Sequence, residues 1–249
     1  MLAHMGRVAA VAALLATVPT SLLAQIPQRF ENLQVLPKDI PRDTLIQIMR
    51  GFSFALGVRC EHCHVQVRED TAERIVFKAD DKKEKETARF MMRMVRDLNA
   101  NVLTRLADRS NPPVRVQCVT CHRGSASPDP LDVVLEQTIS EFGVDSAVAR
   151  YKRLRAETMH LGRYNFGEWS INELARRLGE RGETAQAIRI LEMNQEFYPA
   201  SSSIDLAIAQ LHDQRGERDK AISRYRAVLT KQPQNRMARR RLTELGATP

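Results

Sequence analysis

Two Cys-x-x-Cys-His motifs constrain most strongly what this chain of 249 residues can fold into. They read Cys60-Glu-His-Cys63-His64 and Cys118-Val-Thr-Cys121-His122, and they use all four cysteines of the chain. Two thiols at this spacing reach the two vinyl groups of one porphyrin, and the imidazole that follows can bind its iron. The motifs therefore predict two covalently attached c-type haems.

A zinc site is the main alternative for these cysteines. Two Cys-x-x-Cys pairs can close a tetrahedral zinc site, and a single pair can be a thioredoxin-like redox centre. Neither alternative explains why a histidine follows both pairs in a chain that has only six histidines. We therefore take His64 and His122 as the proximal iron ligands and keep a zinc-binding repeat scaffold as the alternative.

Residues 1–24 have the composition of a secretory signal peptide. Arg7 supplies the positive charge, residues 8–16 are rich in Ala, Leu and Val, and Ala24 is a small residue before the expected cleavage. An uncleaved anchor is the alternative, although the apolar run is short for a membrane span and contains Pro19. We expect an exported, periplasmic protein, soluble or peripheral to the membrane, because paired cysteines of this kind are matured outside the cytoplasm.

A helix with one apolar face is predicted just ahead of the first motif, between Pro41 and Gly57. The eight helical steps from Met49 to Gly57 rise about 12 Å, which is about the width of a haem. Met49 could therefore bind the first iron opposite His64, although a methionine on an apolar face is more often plain core.

Few histidines compete with methionine for the distal position. His4 lies in the signal, His62 is tied inside the first motif, and His160 and His212 lie in the second half of the chain. Methionine opposite histidine would hold the iron low-spin at a comparatively high potential, which suits an electron donor or relay.

A second amphipathic helix is predicted over residues 86–106, between the two motifs. Three of its methionines, Met91, Met92 and Met94, compete for the second iron. Met91 shares the apolar stripe, Met94 lies on its edge and Met92 points about 100° away. Periodicity favours Met91 and leaves the choice open.

The region from about Leu36 to Pro130 resembles the cytochrome c subunit family of photosynthetic reaction centres. The resemblance is carried by three stretches: MRGFSFALGVRCEHCH at residues 49–64, TARFMMRMVRDLN at residues 87–99 and VQCVTCHRG at residues 116–124. It implies a methionine-bearing helix ahead of each haem motif, with Met49 and Met91 as axial ligands. It is also consistent with redox protein partners such as a membrane-bound reaction centre.

This chain departs from the best-known member of that family in two respects. That subunit carries four haems, whereas this chain has two motifs, and no histidine is available here for the bis-His ligation found in that subunit. The resemblance therefore describes the haem-binding unit and leaves the redox partners open, and a respiratory complex is equally consistent with it.

The second half of the chain contains a 34-residue repeat that resembles tetratricopeptide repeats. Five pairs of positions carry the register: Ala175 and Ala209, Gly182 and Gly216, Ala187 and Ala221, Ile188 and Ile222, and Pro199 and Pro233. Such repeats commonly dock protein partners, and the alternative is that they only cover one face of the haem domain.

Charge and aromatic content limit the classes of molecule that this chain could bind. The formal net charge is +8, but aromatic residues make up only 5%, so nucleic acid is a poor candidate partner. A basic cluster at Arg236, Arg239, Arg240 and Arg241 could meet an acidic protein or anionic lipid, although a solvated helix face is commoner. Trp169, the one tryptophan, is expected in the core.

These patterns predict a mainly α protein with three segments. They are a signal peptide at residues 1–24, a dihaem cytochrome domain at residues 30–130 and a tetratricopeptide-like domain at residues 131–246. We expect an electron carrier rather than an enzyme. The alternatives are a haem enzyme or sensor with one open iron, and a protein whose repeats carry the main function.

Overall fold

The computed structural model describes residues 26–69 and 72–249 of the chain. This part contains ten α-helices and one two-stranded sheet, which confirms the predicted mainly α fold. It divides into two compact units, residues 26–53 with 59–116 and residues 54–58 with 117–249. The predicted signal peptide lies outside the described residues, and the predicted domain boundary near residue 130 stays a prediction.

The first unit is built from short elements around the first motif. Its helices and strands are α1 (Arg42–Leu56, which belongs to this unit up to Ser53), β1 (Val65–Glu69), β2 (Ala72–Val76) and α2 (Lys83–Asp97). The strands pair antiparallel, with Val65 opposite Val76. Helix α1 occupies the range expected from its apolar spacing and places Met49 eleven positions ahead of Cys60.

The second predicted helix ends earlier than its apolar pattern indicates. Helix α2 stops at Asp97, and the chain continues as a π-helical turn (Leu98–Val102) and a 3-10 turn (Leu103–Arg105). The cause is Asn99. Its side-chain amide donates to the Val116 carbonyl and accepts from the Val116 backbone amide, at 2.8 Å each. A side-chain bond to the backbone of this kind competes with regular helix geometry.

Charged side chains are buried in the first unit, in a segment that its composition would place in solvent. Lys85 and Arg89 are 8% and 6% exposed, and both pair with Asp80. Hydrogen bonds from Arg89 and Asn32 hold the pKa of the Asp80 carboxyl far below its usual range. This cluster fastens the chain after β2 to the start of α2.

The second unit begins at the end of α1 and contains eight further helices. They are α3 (Cys118–His122), α4 (Leu131–Phe142), α5 (Val144–Thr158), α6 (Glu168–Glu180), α7 (Thr184–Phe197), α8 (Ser202–Gln214), α9 (Arg218–Lys231) and α10 (Arg236–Glu244). Consecutive helices from α4 to α9 pack as three hairpins, and α10 packs on α9. A continuous apolar core runs from α4 to α8, and a smaller cluster joins α8, α9 and α10.

The repeat positions named by the sequence lie where close helix packing needs them. Ala175, Ala187, Ala209 and Ala221 are at most 1% exposed. Small side chains at these positions let the paired helices approach closely. The packing is repeat-like, and the tetratricopeptide assignment stays a prediction.

The expectation that Trp169 lies in the core is wrong, because its side chain is 78% exposed. The buried face of α6 consists of Ile171, Leu174, Ala175 and Leu178, which follow helical spacing. Trp169 precedes Ile171 by two positions and therefore points about 200° away from that face. In the described part of the chain, no helix is long and apolar enough to cross a membrane.

Candidate haem sites

The first motif forms a tight turn that brings its reactive side chains together. Cys60–His62 is a 3-10 turn, and the amides of Cys63 and His64 both donate to the Cys60 carbonyl, at 3.2 and 3.0 Å. Side chains three and four positions apart in such a turn lie on one side. Cys60, Cys63 and His64 therefore share one side of the turn, as covalent attachment and iron binding both require.

The start of α2 supports this turn. Lys82 donates a hydrogen bond to the carbonyl of Glu61, inside the first motif. Lys85 reaches the carbonyls of Phe77 and Ala79, at 2.9 and 2.7 Å. Lys82 and Lys85, at the start of α2, thus fix the backbone around His64.

His64 is held in the form that binds a metal. Burial, followed by the cation of Lys85, lowers the pKa of His64 to about 4, although a backbone hydrogen bond at Phe77 acts in the opposite direction. The ring lies edge-on to Phe77, with 5.0 Å between the ring centroids. Its Nδ1 atom is buried without a hydrogen-bond partner. A neutral imidazole with an unsatisfied nitrogen is suited to binding iron.

The second motif folds as the short helix α3. Gln117 and Thr120 form a capping box at its start, which includes a 3.0 Å bond from the Gln117 amide to the Thr120 hydroxyl. After His122 the chain turns sharply through Arg123 and Gly124, both at positive φ. Burial raises the pKa of the Cys118 thiol in this helix, as it does for Cys63 in the first motif.

A backbone hydrogen bond orients the ring of His122. Its Nδ1 lies 2.9 Å from the carbonyl oxygen of Ser125, and because a carbonyl only accepts, Nδ1 carries the proton. The tautomer leaves the Nε2 lone pair free for a metal, in the arrangement typical of metal-binding histidines. The residues of this motif therefore fit a c-type haem.

Two glycines bring the end of α1 against the second motif, within the second unit. The amide of Gly124 donates to the carbonyl of Ala55, at 2.8 Å. A Cβ atom on Gly57 would lie 2.2 Å from the carbonyl oxygen of Gly124. The end of α1, just ahead of the first motif, thus also supports the backbone that follows the second motif.

Asn99 holds the backbone of Val116, at the end of the first unit, two positions ahead of Cys118. Its side chain accepts from the Val116 amide and donates to the Val116 carbonyl, just ahead of Cys118. An asparagine inside an apolar helical pattern is the sequence signal for this role, which the apolar periodicity alone does not indicate.

The methionines proposed as distal ligands lie on the two helices of the first unit. Met49 is on α1, and Met91, Met92 and Met94 are on α2. All four side chains are partly buried. Burial therefore does not separate the three candidates on α2, and Met49 and Met91 stay predictions.

The zinc alternative requires several ligands at one place. Among the described residues no group of three or more His, Cys, Asp or Glu side chains is arranged to hold a metal ion. The cluster that this alternative requires is not found in that part of the chain.

Comparison with known proteins finds a family that the motif-bearing region resembles. Residues 34–134, about two fifths of the chain, match the model of the photosynthetic reaction centre cytochrome C subunit. The match contains both motifs and all four candidate methionines. Residues 34–134 are similar to this family.

One relative agrees with this placement. Cytochrome c-554 of Chloroflexus aurantiacus is 33% identical over 94 residues, which cover 38% of this chain and 20% of that protein. The chain therefore spans about a fifth of the length of that relative. The resemblance to the reaction centre cytochrome family is confirmed, and residues 135–249 lie outside the family match.

Proposed function

We propose that this protein is an exported dihaem c-type cytochrome that transfers electrons between redox proteins. Two observations support the proposal: both Cys-x-x-Cys-His motifs form helical turns, and the Ser125 carbonyl accepts a hydrogen bond from His122 Nδ1, which would leave Nε2 for an iron. The similarity of residues 34–134 to a cytochrome c family supports covalently bound haem. The number of haems follows from the two motifs.

Each motif would hold one haem through its own side chains. When bound, haem supplies an iron that changes its charge by one electron. Cys60 and Cys63 would form the thioethers of the first haem, and Cys118 and Cys121 those of the second. His64 and His122 would bind the irons on the proximal side, with Met49 and Met91 opposite them.

Electron exchange with protein partners needs exposed contact surface near the haems. Phe54 on α1 is 78% exposed, and Phe90 on α2 is 65% exposed. Exposed aromatic side chains of this size are enriched at interaction surfaces. We propose that they contact a redox partner, either a membrane-bound reaction centre or a respiratory complex, from the periplasmic side.

The helical second unit would dock protein partners. It has its own apolar core, and its last helix exposes basic side chains. Of the predicted basic cluster, Arg236 and Arg239 form no ion pair with the described residues, whereas Arg241 pairs with Asp213 and Glu244. The basic surface is therefore smaller than the sequence indicates, and it suits an acidic protein or the surface of an anionic membrane.

A redox titration with a carbon monoxide test separates an electron carrier from an enzyme or sensor. The proposal predicts two one-electron steps, and a reduced protein whose spectrum carbon monoxide leaves unchanged, because both irons have six ligands. A reduced spectrum that shifts with carbon monoxide would show an open iron and would favour the enzyme or sensor.

A further inference from the structure

Arg163 lies in the loop between α5 and α6, outside the stretch that matches the cytochrome family. Its guanidinium group is packed against the backbone that follows the second haem motif. A Cβ atom on Gly124 would lie 3.0 Å from Arg163 Nη2, which is closer than ordinary van der Waals contact. Gly124 is two positions after His122, in the same compact unit as Arg163.

The cation of Arg163 has no partner within the described residues. Its Nε atom is buried and has no hydrogen-bond partner. Two partly buried arginines of the neighbouring helices differ in this respect, since Arg155 bonds Tyr151 and Arg177 pairs with Asp132. A partly buried guanidinium without an acceptor is costly, so such a group needs an anion.

The proposed function supplies an anion at this place. A haem attached through Cys118 and Cys121 carries two propionate carboxylates, and a guanidinium binds a carboxylate through two parallel N–H groups. We propose that Arg163 binds a propionate of the second haem and thereby raises its reduction potential. The inference rests on the proposed haem at His122 and adds a residue from the repeat-bearing unit to that site.

The physical reason for the effect on the potential is charge. A fixed cation near the haem stabilises the reduced iron, which has one positive charge less than the oxidised iron. Removing the cation should favour the oxidised form. A role of Arg163 in packing alone would leave the two potentials where they are.

The test compares Arg163→Gln with Arg153→Gln in the full-length holoprotein. Arg153 is an exposed arginine on α5 that forms no ion pair with the described residues, so its replacement removes the same charge elsewhere in the unit. In Arg163→Gln one of the two potentials should fall, so that the ratio of reduced to oxidised haem at a fixed ambient potential drops about tenfold, or about 59 mV. Arg153→Gln should leave both potentials unchanged.

Haem content is measured on the same samples by pyridine haemochrome assay and intact mass. Two haems per chain with unchanged potentials in Arg163→Gln would overturn the inference, whereas a native protein without covalent haem would overturn the proposed function instead. If Arg163→Gln does not retain the second haem, the potential is measured in Arg163→Lys. An ammonium group keeps the charge but lacks the planar fork, so Arg163→Lys should retain the second haem with a potential at or a little below the native one, and loss of the haem from Arg163→Lys as well would contradict the assignment.

Discussion

Replacing Met49 with alanine is expected to convert the first haem to a high-spin or water-bound form and to lower its reduction potential. Met49 lies partly buried on α1, and α1 ends just before the turn that carries Cys60 and His64. A methionine ligand raises the potential of a haem opposite histidine, and its loss removes that stabilisation of the reduced iron. The change is read from the far-red methionine-to-iron band of the oxidised protein and from a redox titration.

The control for this substitution is Met159→Ala, at a methionine that is 55% exposed in the second unit. It should leave both spectrum and potentials as they are. The series Met91→Ala, Met92→Ala and Met94→Ala then identifies the second distal ligand, because one of the three should abolish the second methionine band. An unchanged spectrum in Met49→Ala would show that Met49 is a core residue.

Replacing Gly57 with alanine is expected to destabilise the folded protein by about 2–4 kcal/mol. Gly57 has φ of +67°, a conformation that costs a residue with a Cβ about 1–2 kcal/mol. The new Cβ would also lie 2.2 Å from the carbonyl oxygen of Gly124, where the neighbour is backbone and cannot rotate away. Chemical denaturation of the variant and the native protein measures the difference in the free energy of unfolding.

Gly51→Ala is the matched control on the same helix. Gly51 is inside α1, and a Cβ there would meet nothing within 4 Å. The substitution should stabilise the protein by about 0.5–1 kcal/mol, because alanine loses less conformational freedom in a helix. If Gly57→Ala were as harmless as Gly51→Ala, the close contact of α1 with the second motif would be wrong.

The sequence predicted those parts of the fold that depend on local periodicity. The apolar spacing around Met49 predicted a helix that the structure places at Arg42–Leu56. The 34-residue register predicted small buried residues such as Ala187 and Ala221, which are fully buried. Both patterns report the face that a helix buries, and the face is set by neighbouring residues in the chain.

The sequence failed where one residue acts on a distant one. The early end of α2 depends on Asn99 and Val116, which are seventeen positions apart. The burial of Lys85 depends on the carbonyls of Phe77 and Ala79 after β2, whereas a lysine side chain is usually exposed. The exposure of Trp169 depends on which face of α6 packs on α7, and tryptophan's general preference for the core did not reveal it.

For the candidate haem sites, too, the sequence predicts the residues of the motifs but not the contacts that support them. The cysteines and histidines follow from the motif, because its chemistry requires their spacing. The contacts that support them could not be read from the motif. These contacts join segments that are separate in sequence. They are the bond from Lys82 to Glu61, the approach of Gly57 to Gly124 and the packing of Arg163 against Gly124.

The count of covalent haems on protein exported from a host with c-type haem maturation tests the central claim most directly. Intact mass and pyridine haemochrome assay should show two haems per chain. The double variant Cys60→Ser/Cys63→Ser should lose one of them, and Cys118→Ser/Cys121→Ser should lose the other. A native chain without covalent haem, or one that binds zinc through these cysteines, would contradict the account.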